Sequence, residues 1–411
     1  LVGFLSLLVF ILKVGLQLNW FSNFMGSAWN TVDNANTIFG VWAITLLILS
    51  FGQLIKKDLG LGRGIACFLI GVLSFSVLLM LSFKILWWYL LLALILLLVL
   101  GISFLKEVRL GWLSALFTIL VITVIFIIFG TPKFVQMPVP TEVALGFKPS
   151  WSITSATLFS GVKDFFIGSG LGSFGVDFSK FRSLSFNSDT VAWSMRFNQP
   201  FSTLLALLSE GGVILVCALI FLVLLALGHI FQVWNKVRFA AAAEVNLIFK
   251  KDRFLFESFL LTVSFLVLTI GFGLVFYSQV LWWAWWLFLA LIISGFSFYH
   301  KNFTSDKEWK LEDTPQYSLS FSFGLIVVMT ALIMISVWGV RLYMGERFYT
   351  QALASGDNKK AQQYISEAIA KRPNSDVYHS ALAQIYLNQA VEAGKQNNPD
   401  IQGISAIMAK A

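Results

Sequence analysis

The 411-residue chain is 58% hydrophobic and only 12% charged, with a mean hydropathy of +0.80. Soluble domains carry about 25% charged residues, so this composition excludes an ordinary soluble enzyme and places the chain in a bilayer. The net charge of +8 is scattered between apolar runs, not gathered in one patch, and so does not signal nucleic acid.

The 41 phenylalanines and 15 tryptophans suit lipid-facing surface and interfacial belts. Cys67 and Cys217 both fall inside apolar runs and read as small packing residues rather than a disulfide or metal pair. The chain opens at Leu1 inside an apolar run, without Met or a charged leader. It reads as a fragment lacking upstream helices.

A transmembrane helix needs about 20 mainly apolar residues. Nine segments qualify, at 1–18, 37–55, 65–83, 85–104, 110–130, 211–233, 256–277, 281–299 and 319–340. The predicted fold is all-α: a polytopic helix bundle of about nine spans, a large extracytoplasmic loop and a C-terminal helical-repeat tail. Lys13 sits near the end of the first segment and snorkels. Alternate loops carry Lys56, Lys57 and Arg63; Lys106 and Arg109; Lys236, Arg238, Lys250, Lys251 and Arg253; and Lys301, Lys307 and Lys310. The short loops opposite offer little beyond Lys84. Positive-inside bias makes the basic side cytoplasmic, which leaves the 131–202 loop and the tail outside.

Residues 1–130 therefore hold five spans, 131–210 the large loop, 211–342 four more spans and 343–411 the tail. Pro132, Pro138, Pro140 and Pro149 give the loop an extended start. Ser152–Phe166 has the pattern of an amphipathic helix lying on the membrane surface, either a wall of a substrate cleft or a plain surface helix. In the tail, Ala361, Ile365, Ala368 and Pro373 match the second helix of a tetratricopeptide repeat. At about 34 residues per repeat, Leu382, Ala383 and Tyr386 fit the next first helix, and Phe348 and Ala352 the preceding one. That is about one and a half repeats, the alternative being an unrelated helical hairpin; independent stability of a repeat array takes at least about three, so the chain is expected to continue past Ala411.

The groups able to do chemistry concentrate in Ser152–Gly212. Gly168, Gly170, Gly172 and Gly175 crowd together, and Gly170 to Gly175 formally matches G-x-G-x-x-G. A dinucleotide site is rejected, because that motif needs a buried strand and a βαβ unit. The glycines instead suit a tight turn where backbone approaches another helix or a ligand phosphate, or a flexible surface turn. Lys163, Lys180, Arg182 and Arg196 supply positive charge, against Asp164, Asp177 and Asp189. Arginine's fork suits phosphate oxygens, and Arg196 lies just before the helix that re-enters the membrane. Glu210, in Ser-Glu-Gly-Gly at the start of a span, invites a role at that depth or marks a helix break at the interface.

The order VKDFFIGSGLGSFGVDFSKF, an aromatic-rich gap, then RFNQPFSTLLALLSEGGVI resembles the O-antigen ligase and O-antigen polymerase family of bacterial membrane glycosyltransferases. That family's large periplasmic loop carries Gly-x-Gly-x-Gly-x-Phe, here Gly168 to Phe174. It then carries Leu-Leu-x-Glu-x-Gly, here Leu207, Leu208, Glu210 and Gly212. Members with a tetratricopeptide tail are familiar. The sequence departs from the family in one respect that bears on chemistry. Where a histidine usually activates the acceptor, this chain has Arg196-Phe197-Asn198-Gln199, and its histidines are His229, His300 and His379. Asn198 cannot serve as a general base. Nor does Asn30–Asn36 carry the arginine that precedes the family's Gly-Asn-Pro-Asn-like stretch.

The resemblance implies transfer of a glycan from an undecaprenyl-diphosphate carrier to a sugar, lipid or protein acceptor at the outer face of the bacterial cytoplasmic membrane. It implies no cofactor, and the loop shows no cluster of metal ligands. Arg196 and Arg182, with Lys163 or Lys180, would hold the diphosphate. The turn at Gly168, Gly170 and Gly172 would bring backbone N–H groups to it. Asn198 would contact substrate, and Asp189 or Glu210 would take the proton. The tail would bind a protein partner. The competing reading is a non-catalytic scaffold that displays the repeats outside the cell. A transporter is a weaker third reading, since no paired broken helices mark a midplane site.

Overall fold

The computed structural model describes residues 2–15, 35–56, 59–101, 110–133, 136–137, 142–188, 193, 195–241, 248–299, 315–355, 357–394, 403, 405 and 408–409. Outside them lie the Asn30–Asn34 stretch, Pro138, Pro140, Asp189, His300 and the basic residues Lys57, Lys106, Arg109, Lys301, Lys307 and Lys310. All regular structure among the described residues is helical, with no strand. Two compact units divide the chain at Ser305 and Asp306.

The first unit opens with α1 (Val2–Phe10), which continues into a π-helical turn at Ile11–Gly15. Four apolar helices follow: α2 (Asn36–Leu54), α3 (Leu61–Leu81), α4 (Lys84–Gly101) and α5 (Leu110–Phe129). The loop folds into α6 (Phe147–Leu158), α7 (Val162–Ile167), α8 (Phe174–Phe181) and α9 (Leu184–Ser188). Three long helices close the unit: α10 (Thr203–Ala241), α11 (Ile248–Leu274) and α12 (Gln279–Tyr299).

Among the described residues, five helices are long and apolar enough to cross a membrane, and four shorter apolar ones accompany them. Each of the nine sequence-derived segments falls on one of these helices. A backbone in lipid must satisfy its own polar groups, and only helices or closed barrels do so. Polar side chains inside the spans are absorbed the same way. Thr45 Oγ1 donates to Val41 O (3.0 Å), Thr262 Oγ1 to Ser258 O (2.7 Å) and Ser264 Oγ to Leu260 O (3.0 Å).

α2 and α11 form the centre of the bundle, with Phe39, Ile44, Leu47, Phe259 and Phe265 fully buried. Gly52 lets Leu260 press onto α2, for a Cβ there would lie 2.3 Å from a Leu260 methyl. Small residues let helices approach where lipid offers no hydrophobic drive. At the end towards the loop, Tyr89 Oη donates to Val267 O (2.6 Å) and Tyr277 Oη to Leu268 O (2.7 Å), tying α4 and the α11–α12 turn to α11. At the opposite end Lys56 pairs with Glu257 at 3.3 Å.

The second unit is built on α13 (Pro315–Ala354), a 40-residue helix with proline at its first position. Pro315–Val340 carries no charge, and the helix then continues as polar sequence. Two further helices, α14 (Asn358–Lys371) and α15 (Asp376–Gly394), pack back on its end. Asp357 caps α14 by accepting from Lys359 N (2.9 Å). Ala352, Ala361, Ile365, Ala368 and Tyr378 are buried between these helices. Tyr378 stacks on Tyr349 at 5.2 Å and donates to Glu346 Oε1 (2.9 Å). Of the residues picked out by repeat spacing, Ala352, Ala361, Ile365 and Ala368 are buried, Phe348, Leu382, Ala383 and Tyr386 are half-buried, and Pro373 is exposed. Ile365 is fully buried, and Ile365→Ala is expected to cost about 2–5 kcal/mol. Proteolysis of the full chain should then cut within 357–394 at a lower denaturant concentration.

Candidate functional site

The loop has a small core of its own. Leu145, Ile153 of α6, and Phe174 and Phe178 of α8 are buried, with Phe181, Phe186 and Phe197 packed against them. Phe178 meets the rings of Phe186 and Phe197 edge-on at 5.6 and 5.4 Å. Such tilted pairs add to area burial. Of the aromatic-rich gap between the two motifs, Phe186 joins this core, while Trp193 is exposed.

The glycines after α7 dock the loop onto α10. Ser169 N donates to Ser209 O and Gly170 N to Glu210 O, both at 3.0 Å. Gly168 has φ +75°, and a Cβ on it would sit 2.4 Å from the backbone C and O of Glu210. Gly212 answers from the other side with φ +67°, and its Cβ would sit 2.5 Å from the backbone of Phe166. Two backbones touch here, with no room for side chains and with dihedrals that favour glycine. Gly212 is also a non-helical break inside α10. Thr203–Gly211 is thus a separate helical piece, and the apolar run starts beyond it.

Glu210 completes this joint. The N-cap position of α8 provides no side-chain hydrogen bond, and Glu210 Oε1 accepts from Phe174 N at 3.3 Å. A carboxylate is favoured at a helix N-terminus by the orphan N–H groups and the dipole. The glycine cluster and the Leu-Leu-Ser-Glu-Gly-Gly segment are therefore two halves of one joint. Of the alternatives for the glycines, Gly168 approaches a helix, while Gly170 (φ +117°) and Gly172 (φ +76°) have open space where a Cβ would be.

Beneath the joint, Ser169 Oγ donates to Asp177 Oδ2 (2.5 Å). Asp177 is only 6% exposed. Burial pushes its carboxyl above the usual carboxylate value of 3.8, with the Ser169 hydrogen bond and Lys180 opposing. The folded loop then binds a proton more readily than the unfolded chain, so its stability falls as pH rises above about 3.8 through the raised value. In Asp177→Asn this slope is expected to vanish. Hydrogen exchange of α8 between pH 4 and 7 measures it.

A cleft of about 480 Å³ opens where the loop meets the end of the bundle. Its polar rim is Thr37, Glu142, Arg196, Asn198 and Gln199, and its back wall is Ile38, Ile85, Leu145, Leu274, Val275 and Phe276. Three contacts hold the walls together. Phe201 N donates to Ser150 Oγ (2.9 Å), Thr203 N to Val275 O (3.0 Å) and Tyr277 N to Thr203 Oγ1 (2.6 Å). Glu142 fixes the third wall. The N-cap position of α2, Ala35, provides no side-chain hydrogen bond, and Glu142 replaces one. Its Oε1 accepts from Asn36 N and from Thr37 N (3.0 Å), and its Oε2 from Thr37 Oγ1 (2.6 Å).

The predicted cations separate. Arg196 is exposed, lines the cleft, and makes no hydrogen bond or ion pair among the described residues. Asn198 lines it too, with its amide oxygen against Gly175, where a Cβ would come within 2.6 Å. Arg182 instead donates to Trp193 O (3.0 Å), and Lys180 lies over the Phe181 ring at 4.7 Å. Neither these nor Lys163 is among the cleft's lining residues. Asp189 lies outside the described residues. Sequence reasoning passes over Glu142, although it is the sole acidic residue between Pro132 and Lys163. Among the described residues no three His, Cys, Asp or Glu side chains gather as a metal site. His229 lies in α10, and His379 in α15 is engaged with Pro373 O (2.8 Å).

No protein-family model, no curated protein and no solved structure matches this chain.

Proposed function

We propose that this protein is a membrane glycosyltransferase of the O-antigen ligase or polymerase type. It would move a glycan from an undecaprenyl-diphosphate carrier to an acceptor hydroxyl at the outer face of a bacterial cytoplasmic membrane. In this reading nine helices cross, and the loop and tail lie outside. The observation that carries the reading is Arg196, an exposed guanidinium on the polar rim of a cleft whose back wall is apolar. A lipid diphosphate has that division of character, and arginine binds phosphate oxygens through two parallel donors.

The chemistry needs a cation and a base. The acceptor oxygen attacks the anomeric carbon as the bond from that carbon to the diphosphate breaks. Arg196 stabilises the charge that builds on the leaving diphosphate. Asn198 and Gln199 offer amide donors and acceptors to sugar hydroxyls. Glu142 lines the cleft and Glu210 does not, so the acceptor's proton passes to Glu142. Its carboxylate has about four lone-pair sites, and three donors occupy three of them. The tetratricopeptide-like tail then serves a protein partner or acceptor.

One observation favours the scaffold reading: among the described residues no histidine lines the cleft. Transfer in vesicles supplied with an undecaprenyl-diphosphate-linked glycan separates the two. The transferase reading expects Arg196→Ala to abolish transfer, whereas a scaffold loses its phenotype only when 343–411 is deleted.

A further inference from the structure

We infer that the segment from Phe159 to Leu171 is a membrane-inserting edge that beds the loop into the bilayer interface; this holds independently of the transferase reading. The loop helices differ in what they bury. α6 turns Ile153, Thr154, Thr157 and Leu158 inward. α7 buries nothing. Phe159, Val162, Ile167 and Leu171 are 77%, 78%, 60% and 84% exposed, and Phe166 is exposed beside them. Five large apolar side chains within thirteen residues, all exposed, form a patch that water does not favour.

The joint fixes this patch at a particular height. The Phe166 and Ile167 backbone lies against Gly212, and Gly168 against Glu210 and Gly211. Gly212 is the residue from which the apolar run of α10 departs. α7 is therefore level with the top of that span. Below it, α10 exposes Ile214, Ile220, Phe221, Leu224 and Leu225, in a stretch of mean hydropathy 3.0 that is only 11% buried. Lipid is the medium for that face, and the α7 edge adjoins its upper end. The polar groups agree. Asp164 is held by Ser160 Oγ at 2.6 Å, while Lys163 is exposed on α7. A short apolar element carrying a lysine at headgroup depth is how interfacial helices bind. Lys163 then meets headgroup phosphates, and the cleft is presented at the membrane surface.

The unmodified full chain, in vesicles of phosphatidylethanolamine and phosphatidylglycerol, tests this with a phospholipid carrying a photoreactive diazirine high on one acyl chain. Adducts are expected on the 159–171 peptide in excess of those on 174–188. Equal labelling, or none on 159–171, overturns the inference. Nitroxides at Ile167→Cys, Leu171→Cys and Ser179→Cys, in a Cys67→Ala, Cys217→Ala background, give a second reading. The first two should favour oxygen over a water-soluble nickel complex, at a depth of about 5–10 Å below the headgroups, and the third should do the reverse. Nickel access at 167 and 171, or shielding from both quenchers by a protein surface, contradicts it.

Discussion

Gly212→Ala is expected to release the loop from the bundle while leaving the helices folded. A residue other than glycine at φ +67° carries strain of about 1–3 kcal/mol. The added Cβ must also clear the Phe166 carbonyl, which a Cβ would approach to 2.5 Å. Backbone cannot swing aside as a side chain can, so the two hydrogen bonds from Ser169 N and Gly170 N stretch, at about 1 kcal/mol each. The total is about 3–5 kcal/mol, in the range that marks a specific steric mechanism. Gly168→Ala should behave alike, because it meets Glu210 from the other side. Gly172→Ala is the contrast, sharing the sign of φ but facing open space, so only the strain remains. Hydrogen exchange should show faster exchange across 162–182 in the first two variants, with α2 and α11 unchanged.

Arg196→Ala is expected to remove transfer without touching the fold. The side chain is exposed and engages no described neighbour, so its loss leaves no buried group orphaned. Loss of one donor to a developing anion lowers turnover by about 10²- to 10³-fold. Arg196→Lys should recover part of this, since lysine keeps the charge but not the planar fork. Arg182→Ala should act differently. Its guanidinium holds Trp193 O, so the expected effect is a looser 182–197 segment and a milder drop in rate. Rates in vesicles, compared at matched thermal stability, separate these outcomes. Equal losses for both arginines would contradict the division of roles.

The bundle was legible because long apolar runs admit few alternatives, and the described part of each run is mainly helical. The joint was half legible. Clustered glycines announce backbone at close quarters, and Ser-Glu-Gly-Gly announces a break, but nothing local states that Gly168 and Gly212 face each other. The repeat-like spacing in the tail located Ala361, Ile365 and Ala368 as packing residues. The cations were not sortable from sequence: Arg182, Lys180 and Arg196 look alike in a string, and only folding assigns them a carbonyl, a ring and a cleft. Glu142 was invisible for a related reason. Its partners Asn36 and Thr37 open α2, with three further helices between α2 and Glu142, so an uncapped α2 and a lone acid had to be brought together by the fold.

The site assignment meets its most direct test in photocrosslinking with an undecaprenyl-diphosphate analogue that carries its reactive group beside the diphosphate. Adducts on 196–201 and on 142–145, competed away by unlabelled lipid and lost in Arg196→Ala, are the predicted result. Adducts confined to 163–182, or to the Lys56 end of the bundle, would contradict it.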